Sequence, residues 1–91
     1  LGVASIPREI QIEVLLHTDM ETARRALFDS IGLLHPTDGG TLLHSQADDV
    51  DWFARELARL PFTFEIRQPA ALRTALSALA QRLQQLAAVA P

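Results

Sequence analysis

Between Ala47 and Arg73 the chain changes its hydrophobic period twice, and that stretch organises everything around it. Asp48 and Asp49 are helix-capping residue types, and an acidic first turn suits the positive end of a helix dipole. Val50, Phe53, Leu57 and Leu60 follow at helical spacing and form a buried stripe. Trp52, in the first turn, is expected as a lid on the core rather than as a platform for a ligand. Pro61 stops the helix. Phe62, Phe64 and Ile66 then alternate with Thr63, Glu65 and Arg67, the period of a strand with one polar face. Pro69 is suited to the first position of another helix.

Upstream, Ile10, Ile12, Val14 and Leu16 alternate with Gln11, Glu13, Leu15 and His17, which predicts a half-buried strand over 10–18. Thr18-Asp19-Met20-Glu21 fits a capping box with Thr18 as the cap. Met20, Ala23, Leu27 and Ile31 extend the helix, and Gly32 is placed to end it in a left-handed conformation. Residues 33–37 and 41–47 flank Asp38-Gly39-Gly40, a hairpin signal. Pro36 cannot donate to a ladder, so the first of these strands belongs at an edge. Leu42 and Leu43 are both apolar, which leaves the facing of the second strand open.

Downstream of Pro69, Leu72, Leu76, Leu79, Leu83, Leu86 and Ala90 recur at 4-3-4-3-4 spacing. A helix over 69–90 would run about 33 Å, longer than one small sheet needs. The order strand-helix-strand-strand-helix-strand-helix predicts an α+β fold: a ferredoxin-like βαββαβ sandwich with an additional long C-terminal helix. Residues 1–9 read as a linker and 10–91 as a single domain. The first residue is Leu rather than Met, which points to a piece of a longer protein.

Composition narrows the chemistry. The chain has no Cys, which removes disulfides, thiolate metal sites and a Cys nucleophile together. It gives no sign of an oxidising compartment, and a cytoplasmic location is expected. The net charge is −3, so tight nucleic-acid binding by this segment is not expected. No apolar run is long enough to span a membrane. With no Asn, acylphosphatase-like chemistry lacks its partner residue. The expected central strands carry no aromatic on which a base could stack.

One ordered set of residues resembles a known family. Asp49-x-Asp51-Trp52-Phe53, Leu57-x-x-Leu60, Phe64-Glu65-Ile66 and Pro69-x-x-Leu72-Arg73, with the Asp38-Gly39-Gly40 hairpin upstream, is similar to the C-terminal extension domain of bacterial WYL-domain transcriptional regulators. The resemblance covers roughly residues 10–88. Pro61 stands where the family commonly has glycine, and Ala71 where Glu usually precedes Leu-Arg. The resemblance implies a whole regulator with an upstream winged helix-turn-helix and a WYL domain. It implies DNA contact only through those upstream parts, an effector that is a small molecule or a nucleic-acid fragment, and a homodimer.

The residues leave a short set of site candidates. His17 and His44 become neighbours if both lie on the open sheet face; the plain alternative is surface histidine. Arg67 and Arg73 are the candidate donors to an anionic effector, and Glu13 and Glu65 share the expected polar face with Arg67. Leu76, Leu79, Leu83 and Leu86 form the candidate interface, with this domain's own packing as the simpler use of the stripe. No catalytic set, metal set or cofactor is expected. The leading expectation is a non-enzymatic dimerisation and effector-sensing domain. Its rivals are a small dimeric enzyme using His17 or His44 as base with Arg67 holding an anion, and a metabolite-binding regulatory module.

Overall fold

The computed structural model of the chain describes residues 10–27 and 31–90. The expected linker, 1–9, lies outside the described residues. Four strands and three helices follow in the order β1 (Ile10–Leu16), α1 (Met20–Ala26), β2 (Leu33–Thr37), β3 (Gly40–Ala47), α2 (Val50–Ala58), β4 (Phe64–Gln68) and α3 (Ala70–Ala87). The protein is therefore α+β, with one antiparallel sheet in the order β2-β3-β1-β4.

The alternation read from the sequence sets the two faces of this sheet. Ile12, Val14 and Leu16 of β1, Leu43 of β3 and Ile66 of β4 point into one core. Ala23 of α1, Phe53 and Leu57 of α2, and Leu72 and Ala75 of α3 close over them. The pairing of Val14 with Leu43 and of Leu15 with Leu42 settles the facing of β3. Leu43 is buried in the core, whereas Leu42 lies half-buried on the other face. Pro36 sits in β2, an edge strand, as its missing donor requires.

The hairpin between β2 and β3 turns at Asp38-Gly39, and Gly40 carries the positive φ, 141°. A Cβ at Gly40 would lie 2.1 Å from the Leu16 carbonyl oxygen, so the backbone of β1 passes where a side chain would stand.

The first helix differs from the expectation in three ways. Its cap is Asp19, not Thr18: Asp19 Oδ1 accepts from the Thr22 amide at 2.8 Å. The Thr18 carbonyl is used elsewhere, accepting from the buried Thr41 hydroxyl at 2.9 Å and tying the end of β1 to β3. The helix also stops at Ala26, with Leu27 already extended at φ −119° and ψ 150°. Ile31 lies in the core but outside this helix. Gly32 therefore does not end α1, and it is not in the left-handed conformation expected of it. Its need is space, because a Cβ there would lie 2.6 Å from the His44 carbonyl oxygen.

Asp49 caps α2, its Oδ1 accepting from the Asp51 and Trp52 amides at 2.9 and 3.3 Å. Pro69 is the residue before α3 rather than its first turn, and its carbonyl accepts from the Leu72 amide at 3.0 Å. The first half of α3 packs on α2 and β4 through Leu72 and Ala75, with Leu76 and Leu79 half-buried. From Gln81 to Ala90 every residue is exposed. The radius of gyration is 15.2 Å, against about 12 Å for a compact chain of this length. The excess fits a helix end that projects from the packed body.

Candidate functional site

The uncovered face of the sheet is the natural place for a site, and cross-strand register defines it. One row runs Leu33, His44, Glu13, Gln68 across β2, β3, β1 and β4. A second runs His35, Leu42, Leu15, Glu65. Gln11 pairs with Gln46 beyond the first row. The face is thus a polar band beside an apolar spot, where Leu15 is only 6% exposed against Leu42 and the Gly39 turn.

A trough of about 460 Å³ opens on the polar side, lined by Gln11, Gln46 and His44 with Gly32, Leu33 and Ser45. The missing side chain of Gly32 helps make the space. The Ser45 hydroxyl is buried and donates to the Ile31 carbonyl oxygen, which anchors one wall. Ile31 and Gln46 also line a second groove of 370 Å³ that runs to Asp48, Asp49 and Trp52. Trp52 is 43% exposed and meets Phe53 edge-on, with ring centroids 6.0 Å apart at 72°. It is not the buried lid expected, because the helix turns Phe53 and Leu57 inward and leaves Trp52 on the flank. Chemically, the trough offers two carboxamides and an imidazole, which suits hydrogen-bonded recognition of a neutral or weakly charged group.

The sequence candidates scatter around this face. His44 lines the trough. His17 lies past the end of β1, where its Nδ1 shares a hydrogen bond of 2.8 Å with Thr63 Oγ1 and its amide donates to the Thr63 carbonyl at 3.0 Å. Continuing the register sets His17 opposite Gly40, four residues from His44, or about 13 Å along the strand. The two histidines are not neighbours. Arg67 sits at a register shift in β4, with its Nε 4.0 Å from Glu65 Oε2. Arg73 stands apart from both, at the outer edge of β4, where it donates to the Ile66 carbonyl oxygen at 2.8 Å. The four do not converge on one pocket.

The interface candidates divide as well. Leu76 packs against the core and Leu79 lines a crevice between α2 and α3, so both serve this domain. Leu83 and Leu86 are 48% and 56% exposed, and Val89, which the heptad reading passed over, is 71% exposed.

Sequence reasoning missed Gln11, Gln46, Ser45 and Gly32. The signal for Ser45 was present: a hydroxyl on the inward face of an apolar strand needs a buried acceptor. Among the described residues, no group of three or more acidic or histidine side chains stands together to hold a metal. No helix among them is long and apolar enough to cross a membrane.

A one-sided antiparallel sheet with a polar open face and a projecting terminal helix defines a small α+β domain. The family model described as the WCX domain matches residues 8–84, a span that takes in all four strands, α1, α2 and most of α3. The chain belongs to the WCX family, the C-terminal extension of WYL-domain regulators. Neither the curated proteins nor the solved structures returned a match.

Proposed function

We propose that this domain is the non-enzymatic dimerisation and effector-sensing end of a bacterial, cytoplasmic WYL-type transcriptional regulator. It sits behind an upstream WYL domain and a helix-turn-helix, and DNA is read by those parts. The observation that carries the reading is the end of α3. Leu83 and Leu86 stand exposed on a helix that outruns its own domain, and Val89 is exposed just past its end. Large apolar side chains grouped in this way mark a contact surface. The strand order β2-β3-β1-β4, with both split crossovers antiparallel to the strand between them, supports a ferredoxin-like reading of the sheet.

The effector side of the proposal rests on the open face, where His44, Gln11 and Gln46 line one trough. An effector acts by population shift: it biases two inter-subunit arrangements only to the extent that it binds them with different affinity. An enzyme would use His17 or His44 as base with Arg67 holding an anion, but His17 is engaged by Thr63 and Arg67 does not line the trough that His44 lines, which favours binding over catalysis. A shared base and anion clamp would need these groups within hydrogen-bond reach of one substrate.

Light scattering of the 91-residue chain across a wide concentration range tests the proposal. A monomer–dimer equilibrium is expected. A strict monomer at every concentration, together with a full-length regulator that still dimerises when this domain is deleted, would refute it.

A further inference from the structure

We infer that the groove between β4 and α3 is a binding site for a small apolar carboxylic acid, its carboxylate held by Arg73 and its hydrocarbon body laid along Phe64, Ile66 and Leu76. The site stands at the β4 edge of the sheet, away from the trough at His44, and does not depend on that trough binding an effector.

The groove has a volume of about 380 Å³. Arg73, Leu76, Ser77 and Ala80 recur at i, i+3, i+4 and i+7 of α3, so they form one stripe along it. The stripe runs about 10 Å from end to end at about 1.5 Å per residue. Opposite it, Phe64 and Ile66 lie two apart in β4 and share the face turned to the core. Ser77 and Ala80 are small, and beside them Phe64 and Leu76 stay only half-buried. An apolar slot with a few placed polar groups is the form that small-molecule sites take.

One end of this slot is a cation. Arg73 Nη1 donates to the Ile66 carbonyl oxygen at 2.8 Å, which fixes the guanidinium at the groove wall. A guanidinium carries further N–H donors and no acceptor, so donors remain after that bond is made. Among the described residues Arg73 takes part in no ion pair. Its planar fork matches a carboxylate through paired N–H···O bonds. A neutral apolar molecule would cover these donors without answering them. A sugar-like or multiply charged ligand would lay polar groups on Phe64, Ile66 and Leu76. The class that satisfies both ends is an apolar body with one carboxylate.

Calorimetry and amide NMR on the 91-residue chain with octanoate test the site, with octanol and acetate as the neutral and the short comparisons. Octanoate is expected to bind with a Kd of about 1 mM or below. It is expected to shift the amides of Phe64, Ile66, Leu76 and Ala80 and to leave those of Gln11, His44 and Gln46 in place. Octanol and acetate, each lacking half of the match, are expected to bind at least about tenfold more weakly.

Three variants, each checked for its fold by circular dichroism, localise the binding. Arg73→Gln is expected to weaken octanoate about tenfold and to leave octanol unchanged. Ala80→Leu fills the slot and is expected to abolish octanoate binding with Arg73 in place. Arg82→Gln removes the same charge further along α3 and is expected to leave the Kd within about twofold of wild type. Octanol binding as tightly as octanoate, or Arg73→Gln binding octanoate as wild type does, overturns the carboxylate assignment. A folded Ala80→Leu chain that binds as before, or a wild-type chain that binds no octanoate at about 10 mM, overturns the site. Either result leaves the self-association reading standing, since that is read by light scattering without ligand.

Discussion

Arg73 Nη1 donates to the Ile66 carbonyl oxygen at 2.8 Å, and this contact ties the first turn of α3 to the outer strand of the sheet. The bond spans the Gln68–Pro69 joint. Replacing Arg73 by Ala removes a charge-assisted bond to a part-buried carbonyl. The expected cost is about 1 kcal/mol in a urea melt, with a local loss of amide protection in β4 and the start of α3.

The cap of α1 carries a pH signature. Asp19 accepts hydrogen bonds from the Thr22 side chain and amide, which hold its carboxyl below the ordinary aspartate value. A depressed value means that the charged form is favoured by folding. The stabilisation is therefore present above the unfolded value, about 3.9, and is lost as pH falls through the folded one. Asp19→Asn keeps a capping acceptor without the charge. The urea midpoint of wild type is expected to exceed that of the variant above about pH 4 and to converge on it in more acid solution.

Gly40 tests the β2–β3 turn. Its φ of 141° and the 2.1 Å approach to the Leu16 carbonyl leave no place for a methyl group. Gly40→Ala is expected to cost at least about 2 kcal/mol, read as a lowered thermal midpoint. An unchanged midpoint would mean that the hairpin adopts another turn.

Leu72 and Leu83 lie on the same heptad stripe and separate stability from association. Leu72 is fully buried, so Leu72→Ala is expected to destabilise the chain by about 2–5 kcal/mol. Leu83 is 48% exposed, and Leu83→Glu is expected to leave the chain's own stability within about 0.5 kcal/mol. If the end of α3 is a contact surface, the same Leu83→Glu change weakens self-association or docking to the upstream domains. Equal stability losses at the two positions would show that the helix end folds back on its own domain.

Much of the site could not be read in advance, although its elements could. The polar face was legible in the alternation of Gln11, Glu13, Glu65 and Arg67. The trough was not, because it depends on Gly32 lying against His44 and on Ser45 reaching the Ile31 carbonyl, contacts between residues distant in sequence. The choice of Asp19 over Thr18 as cap was not legible either: both are capping residue types, and the structure selects the Asp19 carboxylate, which accepts from the Thr22 amide.

By itself the sequence determined what each segment is and which way most of it faces. Period two with β-branched residues makes strands, period 3.6 makes helices, Pro36 confines β2 to an edge, and Asp38-Gly39-Gly40 makes the turn. These are local steric and hydrophobic rules, satisfied within a few residues. The tertiary structure decided the rest: the choice of Leu43 over Leu42 for the core, the distance between His17 and His44, and the reach of Arg73 to β4. Each depends on strand register or on a helix angle, and these are set by how well whole faces pack together.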